Sequence, residues 1–123
     1  MTRINVVPVQ ELSTKHLIAE YREITRLPNN LKKSLNRQSK PFSLAEIPPE
    51  YVLGPGHVKF FYDKMQWLGE RFRELWVEMV RRGYNPQFRD STIFVDVPPE
   101  FFGYYRPTPE ALELNRARIK ERS

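Results

Sequence analysis

HVKFFYDKMQWLGERFRELWVEMVRR, residues 57–82, decides the fold. Within it Phe61, Met65, Leu68, Phe72, Leu75, Trp76 and Met79 recur at spacings of three and four residues, the period of a helix with one apolar face. Arg81 and Arg82 end the run where positive charge suits a helix C-terminus, and Gly83 supplies the stop. The pattern predicts one helix over residues 57–82. Its aromatic stripe reads as core rather than as a ligand site.

Toward the N-terminus, Met1 to Leu12 reads as an extended arm, with Ile4, Val6, Val7 and Val9 apolar and Pro8 opposing an early helix. Ser13 or Thr14 can cap a first helix whose apolar face carries Leu17, Ile18, Tyr21 and Ile24. Pro28 breaks or bends it near Leu27, and Leu31 and Leu35 continue the pattern for two more turns. Residues 36–56 are rich in turn formers, with apolar anchors such as Phe42, Leu44, Ile47 and Tyr51, so an ordered loop is expected there.

Beyond the long helix, Tyr84 to Arg106 reads as irregular. Thr92-Ile93-Phe94-Val95 has the composition of a strand but no partner run, so it also reads as loop. Thr108-Pro109-Glu110 opens a third helix with a cap, a first-turn proline and an acid. That helix is expected to turn Ala111, Leu112, Leu114 and Ile119 inward, and Arg116, Arg118, Lys120 and Arg122 outward. The fold class expected is all-α: a compact three-helix single domain spanning residues 1–123, with long ordered loops and an N-terminal arm packed on the helices.

Composition narrows the chemistry. With no cysteine in 123 residues, disulfides, thiolate metal sites and cysteine nucleophiles are excluded, and His16 and His57 are too few for a zinc site. Lys and Arg outnumber Asp and Glu by 20 to 15, a net +5 that suits a polyanion partner without establishing one. No apolar run reaches membrane-span length and no signal-peptide pattern opens the chain, so an intracellular, cytoplasmic protein is expected.

Removal of Met1 would expose Thr2, whose α-amine can act as a nucleophile. An α-amine has a reference pKa of about 7.7–8.0 against about 10.4 for lysine, so roughly a tenth of it is neutral at pH 7. Neighbouring arginines lower that pKa further. The first helix presents Arg22, Glu23 and Arg26 close together. An amine beside a carboxylate can attack an electrophilic carbon such as C1′ of a deoxyribose and manage the proton transfers that follow, provided the arm folds back on the helix. Taken alone, a Glu between two Arg describes an ordinary solvated helix face.

The residues also carry a resemblance. Met1-Thr2-Arg3-Ile4-Asn5, His16-Leu17, Ala19-Glu20-Tyr21-Arg22-Glu23 and Arg26 are similar to the pyrimidine-dimer DNA glycosylase/AP lyase family of T-even phages. So are Leu53-Gly54, Gly56-His57-Val58, Phe60-Phe61-Tyr62-Asp63-Lys64, Arg82-Gly83, Pro99-Glu100-Phe101 and Ala117-Arg118, in the same order. The resemblance implies Thr2 as the nucleophile and Glu23 as the catalytic carboxylate. It implies Arg3, Arg22 and Arg26 as contacts to DNA near the lesion, Arg118 and Arg122 as a basic pair on the third helix, and His16 at the edge of the site. His57 is expected to cap or pack.

The partner so implied is damaged double-stranded DNA, kinked, with the adenine opposite the lesion flipped out. The protein acts as a monomer, associated with the nucleoid through DNA, with no membrane, no metal and no organic cofactor. The family's aromatic, basic C-terminal tail is not matched in these residues. Three readings therefore stay open here: a dimer glycosylase, a lyase or glycosylase for another damaged base, and a non-catalytic basic DNA-binding domain.

Overall fold

The computed structural model describes residues 4–37, 40–86 and 91–122. Among them are five α-helices: α1 Thr14–Ile24, α2 Leu27–Leu35, α3 His57–Phe60, α4 Met65–Arg81 and α5 Pro109–Glu121. Four short 3-10 turns join them, and no strand is present among the described residues. The three long helices sit where the periodicity predicts them, and the fold is all-α.

The caps are those the sequence offers. Ser13 Oγ accepts the His16 N–H at 3.3 Å to start α1, and Thr108 Oγ1 accepts the Ala111 N–H at 3.0 Å to start α5. Pro28 stands in the first turn of α2, where its missing N–H costs nothing, so the chain bends between Ile24 and Leu27 and starts a new helix. Leu27 and Leu31 are then fully buried.

The single helix expected over residues 57–82 is instead two helices, α3 and α4, separated by a turn at Phe61–Lys64. Phe60, Phe61 and Tyr62 are consecutive and all buried. In a continuous helix, steps of about 100° would spread them over more than half the circumference, and one would face solvent. The break turns all three inward. It is held by Gly103, whose N–H donates to the Asp63 carbonyl at 2.9 Å, while the Trp67 N–H donates to the Gly103 carbonyl at 3.3 Å. Lys64 Nζ caps the open end of α3 at the Phe60 carbonyl, 2.8 Å away.

Helix α1 packs on α4, with Tyr21 stacked on Phe72 at 5.1 Å between ring centroids. The arm closes the core: Ile4, Val6, Val7, Val9 and Leu12 are all buried. It is extended up to a 3-10 turn at Val9–Glu11. Residues 91–94, read as loop, form another such turn, with Lys32 Nζ on the Val95 carbonyl at 2.9 Å. On α5 one inward position is corrected. Leu114 is 41 % exposed, and Asn115 beside it is fully buried. The reason is polar: Asn115 serves the arm.

Candidate functional site

The arm is fixed by side chains from every long helix. Asn115 Oδ1 accepts the Val6 and Val7 N–H groups at 2.7 and 3.2 Å, and Asn115 Nδ2 donates to Asn5 Oδ1 at 2.7 Å. Asn5 Nδ2 donates to Glu20 Oε1 of α1 at 3.0 Å. Arg71 of α4 grips the same carboxylate with two bonds of 2.7 and 3.0 Å and donates to the Val7 carbonyl at 2.6 Å. All four side chains are buried, so charge and amide groups satisfy one another where water does not reach.

Upstream, the Ile4 N–H donates to His57 Nε2 at 3.0 Å and Tyr51 Oη donates to the Ile4 carbonyl at 3.3 Å. Burial, with the nearby Glu20 charge adding to it, holds the Tyr51 phenol far above its ordinary pKa, so it remains a donor. The arm therefore does fold back onto the first helix. Thr2 and Arg3 themselves lie outside the described residues.

Helix α1 meets this arm with two unlike faces. Leu17, Glu20, Tyr21 and Ile24 are buried. His16, Ala19 and Glu23 line the edge of that buried face at steps of three and four, and Arg26 follows just beyond the end of α1. Glu23 lies one turn beyond Glu20 with its side chain 17 % exposed, and Arg26 Nη1 donates to its Oε2 at 3.2 Å. The Arg26 side chain is itself 66 % exposed, and Arg22 is exposed. From His16 to Glu23 this edge runs about 10 Å along the helix, at about 1.5 Å per residue.

At the His16 end, α1 and α5 enclose a cavity of about 170 Å³ lined by Asn5, Lys15, His16, Glu20, Arg118 and Arg122. His16 Nδ1 is buried with no hydrogen-bond partner among the described residues. Arg118 and Arg122 thus join His16 across two helices. Arg22 on α1 and Arg26 just beyond its end extend the basic surface beside Glu23.

Sequence reasoning missed the arm's holders, Asn5, Arg71 and Asn115, and, while His57 packs as expected, its bond to the Ile4 N–H was not foreseen. One signal was available. Arg71 interrupts the apolar stripe of α4 at an inward register position, between Leu68 and Leu75, and a charge there needs a buried partner. Among the described residues no group of three or more His, Cys, Asp or Glu side chains is placed to hold a metal ion. No helix among them is long and apolar enough to cross a membrane.

The sequence model of a known family, described as pyrimidine dimer DNA glycosylase, matches residues 1–92 of the 123. The match takes in the arm, the whole of α1 with Glu20 and Glu23, the His57 turn and Arg71, and leaves α5 outside. With the buried arm and the helix that faces it both inside that span, the chain belongs to the pyrimidine dimer DNA glycosylase family.

Proposed function

We propose that this protein cuts duplex DNA at ultraviolet-induced cyclobutane pyrimidine dimers, first as a glycosylase and then as an AP lyase. The whole chain, residues 1–123, acts as one unit and as a monomer on the DNA of a bacterial or phage-infected cell. With Met1 removed, the neutral α-amine of Thr2 attacks C1′ of the 5′ nucleotide of the dimer. The C1′–N1 bond breaks, and its electron pair leaves with the base, which takes up a proton. The amine then loses a proton, the C1′–O4′ bond opens, O4′ is protonated, and a Schiff base forms at C1′.

The Glu23 carboxylate stabilises the cationic sugar and manages these protons. Removal of a C2′ proton expels the 3′ phosphate by β-elimination, and water then hydrolyses the imine to return the amine. Arg3, Arg22, Arg26, Arg118 and Arg122 contact phosphates with guanidinium forks, and His16 borders the site. The observation that carries this reading is the buried arm. It brings Asn5 against α1, on Glu20 one turn from Glu23, in a chain of this family.

Borohydride trapping on a duplex with a single abasic site tests it, with the protein's mass checked for loss of Met1. A covalent adduct at the Thr2 amine, together with nicking of ultraviolet-irradiated duplex, is expected. An adduct without dimer cutting moves the substrate to another damaged base. No adduct from a chain that begins at Thr2 leaves only DNA binding.

A further inference from the structure

Catalysis by an N-terminal amine raises a geometric problem, because a chain end is ordinarily the most mobile part of a protein. The described arm answers it at Ile4. Both sides of that residue are held, the N–H by His57 Nε2 at 3.0 Å and the carbonyl by Tyr51 Oη at 3.3 Å. His57 is buried, with the edges of Tyr51 and Phe61 at 5.5 and 5.7 Å between ring centroids.

Its tautomer follows from its partners. Nδ1 stands 2.8 Å from the Val52 carbonyl, which can only accept, so Nδ1 carries the proton. Nε2 is then a bare lone pair aimed at the Ile4 N–H. Gly56, which precedes it, sits at φ +87°, and its Cβ, if present, would meet Pro48 Cγ at 3.1 Å.

We infer that His57 is a positioning residue for the amine nucleophile, acting through the Nε2 acceptor that anchors Ile4. This rests on the Schiff-base reading above. From Ile4 N, two residues of chain reach at most about 7 Å, so anchoring that atom limits how far from it the Thr2 amine can range. A ring protonated on both nitrogens, or a side chain with no acceptor, releases the anchor. The reacting geometry then loosens while the basic surface that binds DNA remains. Since a misplacement of about 1 Å can cost a hundredfold in rate, the effect belongs to the chemical step rather than to binding.

The test compares His57→Phe, which keeps a ring but no acceptor, with His57→Gln, whose amide oxygen can occupy the place of Nε2. Each is assayed for single-turnover borohydride trapping on an abasic duplex and for affinity to a duplex carrying a tetrahydrofuran abasic analogue. His57→Phe is expected to trap at least about tenfold more slowly with affinity within about twofold, and His57→Gln to recover most of the rate. Trapping by His57→Phe at the wild-type rate overturns the inference. So does a His57→Gln protein as slow as His57→Phe, since ring packing would then be what matters.

If His57→Phe does not fold, the wild-type imidazole nitrogen resonances decide. An unprotonated Nε2 with a scalar coupling across the hydrogen bond from the Ile4 amide supports the anchor, and a protonated Nε2 overturns it. A wild-type chain beginning at Thr2 that traps nothing removes the Schiff-base reading and this inference together. A wild type that traps normally beside an equally active His57→Phe removes this inference alone.

Discussion

Glu20 and Glu23 stand three residues apart on α1, and one helical turn gives them different surroundings. Glu20 is fully buried between Arg71 and Asn5, and Glu23 is partly exposed and paired with Arg26. Glu20→Gln leaves the Arg71 charge buried without its counter-ion, so a loss of about 3–5 kcal/mol is expected in urea denaturation. Glu23→Gln should leave the denaturation midpoint in place, keep duplex affinity and abolish glycosylase activity. Full cleavage by that variant would remove Glu23 from the mechanism. Nothing in the local pattern of α1 tells the two carboxylates apart. What separates them is Arg71, 51 residues further on, and local periodicity carries no information about such a partner. Asn115 escaped notice for the same reason, its partners on the arm lying more than a hundred residues upstream.

Among the elements, α1 and α5 were legible because caps are local chemistry: a Ser13 or Thr108 hydroxyl meets a backbone N–H three residues on. The break between α3 and α4 was not. It depends on Gly103 arriving from the far side of the fold, where an added Cβ would come within 2.4 Å of the Asp63 carbonyl oxygen. Gly103→Ala should therefore cost about 1–3 kcal/mol, and a melting temperature equal to the wild type's would show that the turn adapts freely. The exposed edge of α1 supports a second expectation. Arg22→Ala and Arg26→Ala should each weaken duplex binding and reduce the slope of log affinity against log salt by about one. An unchanged slope would take that arginine off the phosphates.

For the molecule as a whole, the C-terminal end of α4 is bound to the start of α1 through a charged cluster. Arg81 and Arg82 both donate to the buried Glu78 carboxylate, at 2.6 and 2.7 Å for the shortest bonds, and Arg82 reaches Thr14 Oγ1 at 3.5 Å. Those bonds hold Glu78 at about 2, against an ordinary value of 4.5. The folded state thus resists a proton that the unfolded chain accepts. The stabilisation is complete above about pH 4.5 and is lost as pH falls toward about 2. Acid unfolding should be shallower across that window in Glu78→Gln, and an acid limb identical to the wild type's would show that other carboxylates set it. The net charge of +5, read from composition as suited to a polyanion, gains its meaning from placement, with basic side chains of α1 and α5 lining one cavity.

The arm's position in the core also sets an order of events during synthesis. Its residues leave the ribosome before their partners at positions 57, 71 and 115, and the arm cannot be enclosed until the last of these has been made. Such distant pairings close late in folding. Until residue 115 has been made the arm therefore stays uncovered, open to any enzyme that works on the nascent chain.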